Sequence, residues 1–358
     1  MPTRVVVGMS GGVDSSVSAA LLIEAGYEVV GVTLRVWPWE EPAEESRRFG
    51  SCCSPETVDD ARAVARALGI PYYLLNYEHE FDRTVISDFT REYLRGRTPT
   101  PCVVCNRQVK FGSLLRRTLA WEADYVATGH YARIEADPAT GRMLLRKGVD
   151  PAKDQSYFLW PLTQEQLRRA LFPVGRLTKA EVRARARALG LRVADKPESQ
   201  EICFVPGDYR AFLRAREPEA FRPGPILDPE GRQLGEHRGL ADYTVGQRKG
   251  LGLAVGRPLY VLALDPVRNA VVVGDEAALA RDRLVATDVN VIPFERLERP
   301  LAVEARIRHG HPPAAALVRP LADGEVEVVF ATPQRAVTPG QSVVFYRGDL
   351  VIGGGIIR

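Results

Sequence analysis

Arg4-Val5-Val6-Val7-Gly8-Met9-Ser10-Gly11-Gly12-Val13-Asp14-Ser15-Ser16 opens the chain, and its reading decides the fold. Three consecutive valines read as a short strand buried on both faces. After the Gly/Ser loop, Val17, Ala20 and Leu21 share one helical face, and Gly26 closes that helix. A loop between a strand and a helix start holds backbone amides and the positive helix end where an anion would sit. Two glycines let those amides approach phosphate oxygens, and the hydroxyls of Ser10, Ser15 and Ser16 add donors. No Lys precedes the serine pair, which separates the loop from the Walker type. Asp14 is disfavoured beside phosphates unless a cation intervenes, so it is assigned to Mg²⁺ or to orienting the loop. A plain Gly-rich turn is the alternative.

Working outward, a second strand covers Glu28 to Leu34. Ser54 caps a helix with Pro55 at its first position and Val58, Ala61, Ala65 and Leu68 facing inward. Tyr72 to Leu75 reads as a third strand, and helical stretches flank the Pro-rich loop Gly96 to Pro101. Tyr125 to Thr128 makes a fourth strand. Strands separated by helical crossovers predict an α/β fold with a doubly wound parallel sheet, whose ligands bind beyond the strands' carboxyl ends. The loops after Gly8, Leu34 and Thr128 should therefore converge. Leu34, Gly129 and His130 are then placed to line the site of whatever phosphate-bearing ligand the loop holds. A hairpin around Asp137 to Gly141 follows, then basic helices in which Thr178 and Glu181 form a capping box. From Arg222 onward the spacing is that of strands, with a hairpin around Pro266 to Asn269. Glu325 to Phe330, Gln341 to Tyr346 and Val351 to Ile357 suggest a final β-barrel. The expected division is 1–205 for the phosphate-loop domain with its basic helices, 206–274 for a small β-rich central domain, and 275–358 for the barrel.

A chain of 358 residues, 45% hydrophobic and 26% charged, can bury several cores. No stretch of about 18 apolar residues occurs, so no membrane partner is expected and the cytoplasm is the expected compartment. Net charge of +3 does not by itself imply nucleic acid. Between Gln164 and Arg192, however, Arg168, Arg169, Arg176, Lys179, Arg183, Arg185, Arg187 and Arg192 face only Glu165 and Glu181. That run is either a solvated face or a surface tracking RNA phosphates, with Arg183 and Arg187 one helical turn apart.

Five dispersed cysteines do not form a secreted disulfide framework. Cys102-Val103-Val104-Cys105 follows Thr98-Pro99-Thr100-Pro101 and precedes Asn106-Arg107, a helix start beside basic residues that favours a thiolate. Cys203 lies in Ser199-Gln200-Glu201-Ile202-Cys203-Phe204. A zinc clip wants four N or S ligands, and no second CxxC exists. Buried structural thiols are the other alternative, preferred for Cys52 and Cys53.

The SGGVDSS loop resembles the pyrophosphatase-loop family, which splits ATP between the α and β phosphates and adenylates a substrate oxygen. With CxxCN, TGHYAR at Thr128 to Arg133, KDQSYFLW at Lys153 to Trp160, ICF, YTVGQRKGLGL at Tyr243 to Leu253, TPGQSVVFY and GGGII, nearly the whole chain resembles the bacterial tRNA-specific 2-thiouridylases. The resemblance implies ATP-dependent thiolation of a uridine in tRNA, at the anticodon wobble position, with Mg²⁺ and a persulfide donor that is a sulfur-carrier protein or cysteine desulfurase. It assigns Gly8, Met9, Ser10, Gly11, Gly12, Val13, Asp14, Ser15, Leu34 and Gly129 to ATP. Cys105 becomes the nucleophile and Cys203 the persulfide carrier, the two ending as a disulfide. Thr100, Pro101 and Cys102 fall beside the target base, and His130, Lys153, Asp154, Gln155, Arg308, His309 and Gln341 fall to tRNA contact. Many relatives carry Asp where this chain has Cys102, which puts an acid/base role there in doubt. Three thiols also admit a second chemistry, in which Cys102, Cys105 and Cys203 ligate an iron-sulfur cluster; the two-thiol relay is favoured because it needs no further cofactor. Two other readings are an amide-forming pyrophosphatase-loop ligase, which would not need Cys105 or Cys203, and an RNA-binding module with a vestigial loop, which intact Asp14 argues against.

Overall fold

In the computed structural model, residues 2–38, 54–197, 202–205 and 207–358 are described; Cys52 and Cys53 lie outside them, as do Ser199, Gln200 and Glu201. β1 (Arg4–Gly8), β2 (Glu28–Arg35), β3 (Tyr72–Asn76) and β4 (Tyr125–Ala127) pair in parallel in the order β3-β2-β1-β4. Val5, Val6 and Val7 are fully buried, as a central strand covered on both faces requires. Because β2 and β4 flank β1 on opposite sides, the chain crosses over in both directions from β1, and a crevice opens at its carboxyl end. Helix α1 (Val13–Glu24) leaves that crevice, and α2 (Pro55–Ala67) begins at a Ser54 cap whose side chain accepts from the Thr57 amide. α1 is enclosed beyond the expected Val17/Ala20/Leu21 face: Val13, Ala19 and Leu22 are buried as well, while Leu21 is only half-buried. The reason is tertiary. The basic helix Lys179–Ala188 packs Val182 and Ala186 into the same core from the other side.

The chain then forms the hairpin β5 (Ala132–Ala136) and β6 (Met143–Lys147) before β7 (Ala170–Leu171) completes the parallel sheet beside β4. Although the hairpin lies within residues 1–205, β6 hydrogen-bonds the last strand of the chain at Leu350↔Arg146. Next come β8 (Gly224–Leu227), β9 (Gln233–His237), β10 (Tyr260–Asp265) and β11 (Ala270–Gly274), a separate sheet in the order β10-β11-β8-β9 around Ile226, Val261, Val271 and Val273.

The strands β12 (Ala280–Val291), β13 (Leu301–Arg306), β14 (Ala314–Pro320), β15 (Val326–Arg335), β16 (Ser342–Arg347) and β17 (Leu350–Ile357) run β12-β15-β14-β13-β16-β17, and β12 also pairs with β17. Closure leaves no free edge within the ring. Gly354 of β17 admits Trp160 against the barrel wall, since a Cβ there would fall 2.8 Å from the indole. The loop before β16 braces the Pro-rich loop of the first domain: Thr98 N donates to Pro339 O at 2.8 Å, and Gln341 Nε2 donates to Thr98 O at 2.8 Å.

Candidate active site

At the phosphate loop, Gly11 sits at φ +67°, and a Cβ there would come within 2.1 Å of Thr57 O, so α2 leaves room for glycine alone. Gly129 is required for the same reason, since its Cβ would meet Ser15 N at 2.7 Å. The loop closes on itself. Ser10 N donates to Ser15 Oγ at 3.2 Å, Ser15 Oγ donates to Gly12 O at 3.2 Å, and Ser16 Oγ donates to the same carbonyl at 2.8 Å. Ser16 is fully buried, which corrects its expected part as a phosphate donor: its hydroxyl tightens the first turn of α1.

Asp14 carries two cationic and hydroxyl contacts that sequence reasoning missed. Lys179 Nζ lies 2.8 Å from both carboxylate oxygens, and Tyr131 OH donates to Oδ1 at 2.7 Å. Lys179 is the first residue of its helix, positioned by the Thr178/Glu181 capping box. Lys196 adds a second ammonium, 3.1 Å from Gly11 O and 2.6 Å from Asp60 Oδ2. The positive charge absent from the loop's own sequence thus arrives from residues more than 160 positions away, with no local signal to announce it.

One cavity of about 370 Å³ opens over this loop. Gly8, Met9, Ser10, Asp14, Ser15, Leu34, Gly129 and His130 line it together with Pro101, Cys102, Cys105, Asn106 and Cys203; Gly11, Gly12 and Val13 form the turn outside that lining. The loops after β1, β2 and β4 therefore do meet. Cys105 begins the π-helical stretch Cys105–Ser113, a widened helix of the kind that recurs at functional sites, while Cys102 is exposed and Cys105 and Cys203 are half-buried. Asn106, 1% exposed, donates Nδ2 to Phe158 O at 3.0 Å, and its Oδ1 and the buried Thr100 Oγ1 find no partner among the described residues. His130, expected to reach the nucleotide or its acceptor and assigned by the resemblance to tRNA contact, lines the cavity, buried near the rings of Phe111 and Phe172, with Nδ1 2.6 Å from Thr128 Oγ1. Burial, reinforced by Lys110, holds its imidazole well below the ordinary histidine pKa, so it is neutral. Among the described residues no three His, Cys, Asp or Glu side chains stand close enough to hold a metal ion.

The other RNA-contact candidates are largely engaged within the protein. Arg183 donates to Ala194 O at 2.6 Å and Lys196 O at 3.1 Å, and Arg187 pairs with Asp195 at 2.7 Å. Arg176, Arg185 and Arg192 likewise meet Glu135, Glu24 and Asp60, so acids from other elements answer the basic run. Asp154 is buried and accepts from Gly148 N, Ser156 N and Ser156 Oγ; Gln155 accepts from Tyr131 N. His309 stacks on Phe158 at 4.6 Å, Arg308 donates to Ala336 O and Thr338 Oγ1, and Lys153 is half-buried beside Asp154.

The crevice position, the glycine-dependent loop and the cations around it define a nucleotide-binding α/β protein of the pyrophosphatase-loop kind, with thiols across its cavity. Three family models match the chain: a tRNA methyl transferase HUP domain over residues 3–207, a tRNA methyl transferase PRC-barrel domain over 210–275 and an aminomethyltransferase beta-barrel domain over 281–357. The chain is 57% identical over 360 residues to the tRNA-specific 2-thiouridylase MnmA of Heliobacterium modesticaldum, covering 100% of this chain and 93% of that one. It is 54% identical over 357 residues to the MnmA of Acetivibrio thermocellus, covering 99% of each. It belongs to the tRNA-specific 2-thiouridylase family. No described helix is long and apolar enough to cross a membrane.

Proposed function

We propose that this chain catalyses ATP-dependent 2-thiolation of a uridine in tRNA, at the anticodon wobble position and in the cytoplasm, where ATP and tRNA are both at hand. One observation carries the reading: a single cavity is lined by Ser10 and Asp14 of the phosphate loop and by Cys105 and Cys203. Matching family descriptions speak of methyl transfer and the relatives' names of thiolation; thiols facing a phosphate loop favour thiolation. They also disfavour an amide-forming ligase, which has no use for them.

The uracil C2 oxygen is a poor leaving group until it attacks the α phosphate of ATP and displaces pyrophosphate. The terminal sulfur of a persulfide on Cys203 then adds to C2, and AMP departs. Cys105 thiolate attacks the Cys203 sulfur, the S–S bond breaks and its electron pair stays on the base sulfur. The products are 2-thiouridine and a Cys105–Cys203 disulfide. A sulfur-carrier protein or a cysteine desulfurase would recharge Cys203. The loop from Gly8 to Ser15, Leu34 and Gly129 would bind ATP, while Thr100, Pro101 and Cys102 would face the base, unstacked to enter the cavity. Lys153, Arg308, His309 and Gln341 would approach the RNA. Among the described lining residues Asp14 is the one acid; it would reach Mg²⁺ by exchanging its Lys179 contact, with substrate phosphates and water supplying the other ligands. That ion would neutralise charge on the phosphates. Residues 1–205 would hold the chemistry, with 206–274 and 275–358 extending the RNA-facing surface.

The test is a reaction of persulfide-charged enzyme with ATP and unmodified tRNA, followed by nucleoside mass spectrometry. The expected result is one AMP per 2-thiouridine, abolished by Cys105→Ser and by Cys203→Ser. AMP release without thiouridine, or full activity in either variant, would overturn it.

A further inference from the structure

We propose that Gln166 is a positioning residue for the reaction: its side-chain amide holds the π-helical stretch Cys105–Ser113 in the register that presents Cys105 to the cavity. The inference rests on the placement of Cys105 in the reaction and goes beyond it to what fixes that residue. The stretch is closed by hydrogen bonds one residue longer than those of an α-helix, as from Leu114 N to Val109 O. Such turns are rare, and two features favour this one. Gln166 Nε2 donates to Arg107 O at 3.0 Å and to Phe111 O at 2.8 Å, so both N–H bonds of the amide are spent on carbonyls of the stretch. Gly112 is the other feature: a Cβ there would stand 3.0 Å from Arg107 O, and glycine lets the turn close without displacing that carbonyl. Gln166 is itself fixed from behind, its Oε1 accepting from Thr163 N at 3.0 Å in the capping box of the helix Gln164–Arg168.

The register decides which side chains meet the substrate. Cys105, Asn106, Val109 and Lys110 line the catalytic cavity, whereas Arg107, Gln108 and Gly112 line a second, arginine-rich cavity of about 550 Å³, and Gln166 stands among them. A slip of one residue at this turn would rotate Cys105 relative to Val109 and Lys110 by about 100°, one residue's share of a helical turn. The segment that carries Gln166 grips the helix at a second point, since Phe158 O accepts from Asn106 Nδ2 at 3.0 Å. Between the two grips in the chain, Trp160 is anchored to the barrel at Ser342 Oγ. Helix, clamp and barrel wall thus form one support.

The discriminating variant is Gln166→Glu. A carboxylate still closes the capping box with Thr163, but it has no N–H to give, and the guanidiniums of Arg107 and Arg116 on the same cavity keep it ionised. Two carbonyls of the π-helical stretch then lose their donor and face a negative oxygen. Steady-state thiolation of tRNA and backbone hydrogen–deuterium exchange are measured on the full chain. Expected for Gln166→Glu is a kcat lower by about tenfold or more, since a misplacement of about 1 Å costs up to about a hundredfold, with the KM for ATP unchanged because the phosphate loop is untouched. Exchange at the amides of 107–114 should accelerate while the strands of the parallel sheet keep their protection. Thr163→Ala removes the hydroxyl of the cap and leaves the Gln166 amide in place, so it should lower the melting temperature without moving kcat. A wild-type kcat in Gln166→Glu overturns the proposal, as does a kcat lost equally in Thr163→Ala or lost together with a raised KM for ATP. If the wild-type chain makes no thiouridine, the thiolation reading fails instead; the exchange data still decide the clamp, and unaltered exchange at 107–114 overturns it.

Discussion

Lys179 and Asp14 form the charge pair that sets the phosphate site's electrostatics, with side-chain exposures of 11% and 29%. Removing the ammonium leaves a carboxylate facing incoming phosphates at short range, where unscreened repulsion is strong. Lys179→Met should therefore raise the KM for ATP by about tenfold or more, roughly one charge contact, with partial rescue by Lys179→Arg. Pyrophosphate release against ATP concentration measures it, and an unchanged KM would return the pair to a purely structural role. His130 supplies a second prediction at this scale. Its folded pKa is held below the unfolded value of about 6.5, so the unfolded chain binds the proton first as pH falls. The stabilisation from its neutral burial is full above about pH 6.5 and is lost progressively below it. Urea midpoints across pH 5 to 8, compared between wild type and His130→Asn, should show a shallower acid-side slope in the variant, independent of any effect on activity.

The basic helix Lys179–Ala188 shows how misleading a charge run can be when read along one element. Arg183 turns inward to cap the carbonyls of Ala194 and Lys196, and this holds the turn that delivers Lys196 to the Gly11 carbonyl. Arg183→Ala orphans those acceptors and should lower stability by about 1–3 kcal/mol. The slope of tRNA affinity against salt should stay as it is, because a guanidinium engaged by protein carbonyls releases no counterions from RNA. Thermal melts and filter binding at several salt concentrations separate the two effects; a flattened salt slope with unchanged melting would make Arg183 an RNA contact after all. The Pro-rich loop is positioned from outside as well, since Gln341 holds the carbonyls of Thr98 and Pro99 and so sets the start of the helix that carries Cys102.

Across the whole molecule, the barrel is a structural partner of the catalytic domain. Trp160 and Tyr157 are buried against it, the indole N–H donating to Ser342 Oγ at 3.0 Å and the phenol to Ser342 O at 2.8 Å. Asn290 donates to the carbonyls of Trp160 and Leu162, and the hairpin β5–β6 extends the barrel's own sheet. Barrel and phosphate domain should therefore unfold together. Ser342→Ala orphans a buried indole N–H and should cost about 1–3 kcal/mol, seen as a lower melting temperature with tryptophan fluorescence and far-UV circular dichroism still coincident. Two separated transitions would show that the interface does not couple the domains.

Local physics determined the phosphate loop, because Ser10 to Ser16 between a valine strand and a helix start is a contiguous chemical pattern. It determined the first four strands and both capped helices in the same way, since hydrophobic period and cap residues act within a few positions. The CxxC at Cys102 and Cys105 was equally legible. The distant partners were not. That Lys179 neutralises Asp14, that acids on other elements absorb the arginine run, that His130 is buried rather than displayed, and that the hairpin after β4 joins the barrel all depend on contacts between residues far apart in the chain. A pairing between distant positions leaves no period and no composition at either end. Its energy comes from burial and charge compensation that exist only once the sheet, the helices and the barrel have closed around the cavity.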